Sequence, residues 1–244
     1  MATLPPLHGT SSMPSFRTAR FVILPALALL AACGGQDLSA RGGGVPVAGV
    51  LVRASGPGTA DLRAGQLAAA RSGFESLLRG NPEQMDALND LAVAYHLEGH
   101  SEAARKLLDE VVVRGMPREQ QAALVNLADL YASEGFLAAA QAHLEAARAI
   151  DPTRAEPAWA MALLADARGE SEAPRLAAEA LRLDADGAAR RHLVFATPEE
   201  RAHFAALAAE AAGDRALANV QWRELRAARA PSLAQAAQRH LVEP

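Results

Sequence analysis

Beyond Ala60 the apolar residues return at spacings of three, four and seven, the pattern of helices that bury one face. Gly65, Gly99, Gly135, Gly169 and Gly213 punctuate that pattern, each near the end of a helical stretch. Gly65 is followed by Ala70, Phe74, Leu77 and Pro82, and Gly99 by Ala104, Leu108, Val111 and Pro117. Gly135 is followed by Ala140, Leu144, Ala147 and Pro152, and Gly213 by Ala218, Trp222, Leu225 and Pro231. Ahead of the glycines, Leu88, Leu91, Ala92 and Tyr95 precede Gly99, while Leu124, Leu127, Ala128 and Tyr131 precede Gly135. This order predicts helical hairpins. Ala92 with Ala104, and Ala128 with Ala140, are small enough for paired helices to approach closely, and the glycines can take the left-handed turn that ends a helix. Asn81-Pro82, Thr197-Pro198-Glu199-Glu200 and Ser232-Leu233-Ala234-Gln235 read as helix starts.

The two middle units resemble the tetratricopeptide repeat (TPR), whose ~34-residue unit reads Trp-x2-Leu-Gly-x2-Tyr, then Ala-x3-Phe, then Pro. Leu stands in the Trp position here, and Ala in the helix-contact Gly position. The resemblance implies an all-α fold: a right-handed superhelical solenoid of antiparallel helix pairs over residues 61–244, closed by a capping helix from Leu233 to Leu241. It weakens towards both ends. In the first unit the expected first helix falls on Ser55-Gly56-Pro57-Gly58, so only its second helix is convincing. The fourth unit has alanines where large residues belong, and Pro174 must sit in a first turn. Asp186 to Thr197 is about ten residues longer than the period predicts, and Leu193-Val194-Phe195 within it is a candidate to pack against a neighbouring groove.

The N-terminal pattern is different. Arg17 and Arg20 precede the apolar run Phe21 to Leu30, which is too short to span a bilayer with comfort, and Ala31-Ala32-Cys33 follows. Leu30-Ala31-Ala32-Cys33 resembles the bacterial lipobox. That resemblance implies a signal peptide over residues 1–32, cleavage before Cys33, and acylation of Cys33, with the acyl chains holding the protein at the membrane. Gly34, where an inner-membrane retention signal would have Asp, favours the outer membrane. Met13 is an alternative to Met1 as the start. Residues 33–60 are rich in glycine and read as a flexible tether, about 27 residues reaching about 25–30 Å on average. Val45 to Val52 is an apolar island in it, open to two readings: a short strand, or a strip lying on the first helices.

Half of the residues are apolar but only 4% are aromatic, which suits close-packed helices better than a β-sandwich. A net charge of -4 without a basic block gives no sign of a nucleic-acid partner. Cys33 is the only cysteine, so no intrachain disulfide can form. His96 and His100 are four apart, a spacing that can bind zinc on one helix, but Gly99 places His100 in a turn and no third ligand lies nearby. Neither a nucleophile elbow nor a phosphate-binding loop is present, so we expect no enzyme, cofactor or metal.

A TPR stack offers instead a concave groove lined by the first helix of each hairpin. By position the groove residues are Asn89, Val93 and His96; Asn126 and Asp129; and Trp159, Leu163 and Asp166. Trp159 reads equally well as core. Lacking the Lys and Arg that hold a carboxylate in the best-known peptide-binding TPRs, this groove is expected to take an apolar or basic protein segment. Anchor and repeat together resemble, in plan, the pilotins of type IV pilus secretins and the TPR lipoproteins of tight-adherence pili. They imply a periplasm-facing adaptor, the alternative being a scaffold for cell-wall or polysaccharide enzymes. If Cys33 is the anchor, Cys33→Ala abolishes fatty-acid labelling and retention on membranes after a high-salt wash. Labelling that survives the substitution would contradict the lipoprotein reading.

Overall fold

The computed structural model describes residues 50–51, 57–195 and 197–241. Cys33, the signal segment and most of the stretch read as a tether lie outside them, as does most of the Val45 to Val52 island; of residues 33–60, only 50–51 and 57–60 are described, in a strand and in the first helix.

Helices pair in chain order: α1 (Pro57–Arg63) with α2 (Leu67–Gly80), α3 (Met85–Leu97) with α4 (Ser101–Arg114), α5 (Pro117–Ser133) with α6 (Leu137–Ile150), and α7 (Ala155–Ala167) with α8 (Ala173–Leu183). The short α9 (Ala188–His192) follows, then a fifth pair, α10 (Pro198–Ala211) with α11 (Arg215–Leu225), and finally α12 (Pro231–His240). Each of α2, α4 and α6 also packs on the first helix of the next pair, so the hairpins stack as a solenoid.

The crossing point of every hairpin is a small residue seven positions before the left-handed glycine: Gly58, Ala92, Ala128, Ala162 and Ala206. The four alanines are fully buried. Gly58 makes the point most sharply, since a Cβ there would lie 2.9 Å from the Phe74 ring and 3.0 Å from the Ala70 carbonyl. This glycine lets α1 form against α2 even though the sequence predicted only the second helix of that unit. The hairpin turns share one design. Gly99 has φ 84°, its N–H donates to His96 O at 2.9 Å, and His100 N–H donates to Tyr95 O at 2.8 Å. Gly135 repeats the motif with φ 87°, and Phe136 N–H donating to Tyr131 O at 2.8 Å. In each, the residue after glycine sets its ring edge-on to the tyrosine, the apolar contact that accompanies this helix ending.

A second periodic contact links neighbouring units. Arg71 lies over the Tyr95 ring and pairs with Glu98, and 34 residues on Arg105 lies over Tyr131 and pairs with Glu134. Each arginine thus clamps its hairpin to the next by cation–π and ionic contact.

Two predicted helix starts are corrected. Asn81 does not open α3: its Oδ1 accepts the Glu83 N–H at 3.2 Å in a turn, and the helix begins at Met85. Ser232 is already inside α12, which opens at Pro231, and its hydroxyl has no partner. Thr197 does cap α10, accepting the Glu200 N–H at 3.1 Å.

The long connection after α8 is ordered. Asp184, 1% exposed, accepts N–H bonds from Ala189 at 2.8 Å and Arg190 at 3.3 Å and so caps α9. The chain then enters β2 (Leu193–Val194), which pairs antiparallel with β1 (Val50–Leu51), Val50 opposite Val194 and Leu51 opposite Leu193. The open question about the apolar island is answered for these two residues: they form a strand.

Ala128→Trp, at a fully buried crossing, should destabilise the fold by about 1–3 kcal/mol through overpacking. Val113→Ala on the exposed side of α4 should change stability by less than about 0.5 kcal/mol. Urea unfolding checks both, and an Ala128→Trp protein as stable as the parent would contradict the assigned crossing.

Candidate protein-binding groove

The first helices α3, α5 and α7 lie side by side and carry the residues expected to line a groove. The Asn126 Nδ2 amide donates to Asn89 Oδ1 at 2.8 Å, and Asn89 Nδ2 donates to Asp90 Oδ1 at 3.0 Å. The two asparagines are brought together although they are out of register, Asn89 ten residues before Gly99 and Asn126 nine before Gly135. His96 and Asp129 also meet across α3 and α5, at 3.3 Å. Burial opposes a charge on His96, yet the bond to Asp129 outweighs it and raises the imidazole above its ordinary value. His100, in the turn, does not join His96, and no group of three potential metal ligands occurs among the described residues.

This face is not open. Val93 and Leu163 are 1% exposed, Asn89 and Asn126 are buried almost as completely, and Asp129 is 8% exposed. The chain itself supplies the cover. Strand β1 lies against α5 and α3. Val194 of β2 is buried in one apolar cluster with Leu91, Val93 and Ala94, and Leu193 in another that runs from α5 to α10. Helix α12 closes the far end by packing on α7.

Trp159 resolves as core. Its ring is fully buried, set edge-on to Phe204 at 5.1 Å, and its Nε1–H donates to Asp184 Oδ2 at 3.3 Å. The indole thereby ties α7 to the carboxylate that caps α9, and Phe195 packs onto Phe204 from the inserted segment at 5.4 Å.

Asp166 is the hub of a network that sequence reading missed. Its carboxylate meets His203 Nε2 and His240 Nε2, both at 2.7 Å, and its backbone carbonyl accepts from Arg239. His240 Nδ1 lies 2.8 Å from Glu210 Oε2, and Glu210 Oε1 accepts the Trp222 Nε1–H at 2.8 Å. The His240 ring stacks on Trp222 at 4.2 Å. With a carboxylate on each nitrogen, His240 satisfies both only as the doubly protonated cation. Burial opposes that charge, but the bonds to Asp166 and Glu210 outweigh it and hold His240 up to about 9. Burial likewise pushes Asp166 upward, and its two histidines overcome this and hold it well below the usual carboxylate range. A signal existed: Asp166 and Glu210 both stand three residues before their glycines.

Comparison with known proteins fits this geometry. Residues 61–125 match the tetratricopeptide-repeat family. Among solved structures, a thermophilic TPR protein of Thermus thermophilus is similar at 23% identity, with 75% of this chain and 95% of that one aligned and a TM-score of 0.53. That likeness shows the fold, a TPR-type solenoid. A crystal structure of MamA aligns over 77% of this chain and 98% of its own at 17% identity and a TM-score of 0.42. No curated protein sequence matches the chain.

The His240 linkage gives a pH prediction. Because its folded value lies above the ordinary 6.5, its contribution is complete below about pH 6.5 and fades as pH rises through about 9. Asp166 works oppositely, contributing above about pH 4 and losing its effect in acid. His240→Gln should cost on the order of 1–2 kcal/mol at pH 6.5, allowing for partial solvent access, and little at pH 10. Thermal melts across that range decide it; a constant difference between the two proteins would exclude the linkage.

Proposed function

We propose that this protein is a lipid-anchored protein-interaction module of the bacterial envelope, held at Cys33, whose concave face grips an extended segment of a partner protein. The observation that carries the proposal is that this face already accepts a chain segment: β1 lies against α3 and α5, the helices bearing Asn89, Val93, His96, Asn126 and Asp129. The TPR repeat and the solenoid support a binding role in general. The Leu30-Ala31-Ala32-Cys33 motif supports the anchor, and Gly34 supports the outer membrane. Apolar residues, amides and the carboxylate of Asp129 suit an apolar or basic segment, with backbone groups meeting the asparagines. In this reading the protein is an adaptor or assembly factor, for a pilus machine or for cell-wall enzymes, and the crosslinked partner distinguishes the two.

A photo-crosslinking residue at Asp129 should capture the partner from envelope extract, whereas the same residue at Val113, 77% exposed on α4, should not. Asn89→Ala with Asn126→Ala should then weaken that partner's affinity about fivefold to a hundredfold, measured where the variant is still folded. Capture from Val113 alone, with affinity unaffected by the asparagine changes, would move the binding surface to the outer face.

A further inference from the structure

We infer that the groove binds its partner by strand exchange: an extended apolar segment of the partner displaces β1 and pairs antiparallel with β2. This rests on the groove reading above and specifies its ligand and its control.

Strand β2 is built to present an edge in the groove. Asp184 caps α9 and takes the Trp159 indole N–H, fixing the inserted segment to α7. Leu193 and Val194 are each 8% exposed and packed into the apolar clusters of the solenoid. Strand β2 therefore stays in place by contacts of its own. By comparison β1 is a poor occupant. Among the described residues its ladder spans two positions, Gly49 precedes it, and beyond Val52-Arg53 come Ala54-Ser55-Gly56, weak strand formers. What favours it is attachment, since five residues separate Leu51 from Pro57 and such a short link keeps its local concentration at the millimolar level. A tethered weak ligand is readily replaced by a longer strand from another protein, which would add backbone bonds along β2. Until then the groove is closed, and apparent affinity falls by the fraction of time that β1 is released. The same arm leads back to Cys33, so displacing β1 frees more of the tether.

The probe is a fluorescent peptide of residues 45–52 with a solubilising Lys-Lys end, read by anisotropy, beside a control with Asp at the positions of Val50 and Leu51. The proteins are full chains carrying Cys33→Ala. In one, Val50→Asp and Leu51→Asp release β1. In another, Val50→Cys and Val194→Cys staple the paired positions. The released protein should bind the peptide at least about tenfold more tightly than the parent and should ignore the control. The stapled protein should not bind until it is reduced, and because reduction acts on one and the same folded sample, loss of folding cannot mimic the result. Equal binding by released, parent and stapled proteins, or binding of the control peptide, would overturn strand exchange. Crosslinking at Asp129 is independent of the peptide, so its success beside failed exchange would remove the mode of binding and leave the groove.

Discussion

Close approach of two helices at one small side chain is the constraint on which this molecule depends. Gly58, Ala92, Ala128, Ala162 and Ala206 occupy the same place before their turns, and each sets the separation of its hairpin. Packed interiors have almost no free volume, so a larger residue there must push the helices apart. Repeating one separation and one turn makes the hairpins stack with a constant sense, and that stacking lines up α3, α5 and α7 to form a continuous inner face. The arginine clamps at Arg71 and Arg105 hold successive hairpins in that relation.

An inner face made this way carries more than apolar residues. Asn89, Asp90, Asn126, Asp129 and Asp166 are all buried on it, and buried polar groups are costly unless they are hydrogen-bonded. The chain meets that demand by two routes. At the N-terminal end the asparagine amides bond one another, and the β1–β2 pair covers the apolar floor around Val93. At the C-terminal end α12 turns back and sets His240 between Asp166 and Glu210. The first cover is, among the described residues, a ladder of two paired positions, and the second is an ionic network around a stacked Trp222. This difference in strength is why the opening of the groove is assigned to β1 and not to α12.

Much of the scaffold was legible in the sequence. The glycine register gave the hairpins, Ala104 and Ala140 gave the crossings, and the extra length from Asp186 to Thr197 marked an insertion whose Leu193-Val194-Phe195 does turn inward. The candidate groove residues were found on the expected helices, but their exposure was not legible. Burial of Val93 and Leu163 depends on segments that reach the face from far along the chain. Trp159 was undecided because its partners, Asp184 and Phe204, lie 25 and 45 residues away. The Asp166 network spans 74 residues to His240, and only the shared register of Asp166 and Glu210 hinted at it. The helix start read at Asn81 failed, and Ser232 sits one residue inside the helix start that it marked without capping it, for a local reason: both residues suit turns as readily as caps.

Strand β1, from the chain itself, closes the groove over α3 and α5. Hydrogen exchange read by mass spectrometry on the full-length protein tests this closure. Slowed exchange is expected at both Val50–Leu51 and Leu193–Val194, with protection of β1 lost when Val50→Asp and Leu51→Asp are introduced and protection of α9 retained. Exchange of Val50 and Leu51 at the rate of an unstructured chain in the parent protein, beside a protected β2, would contradict it.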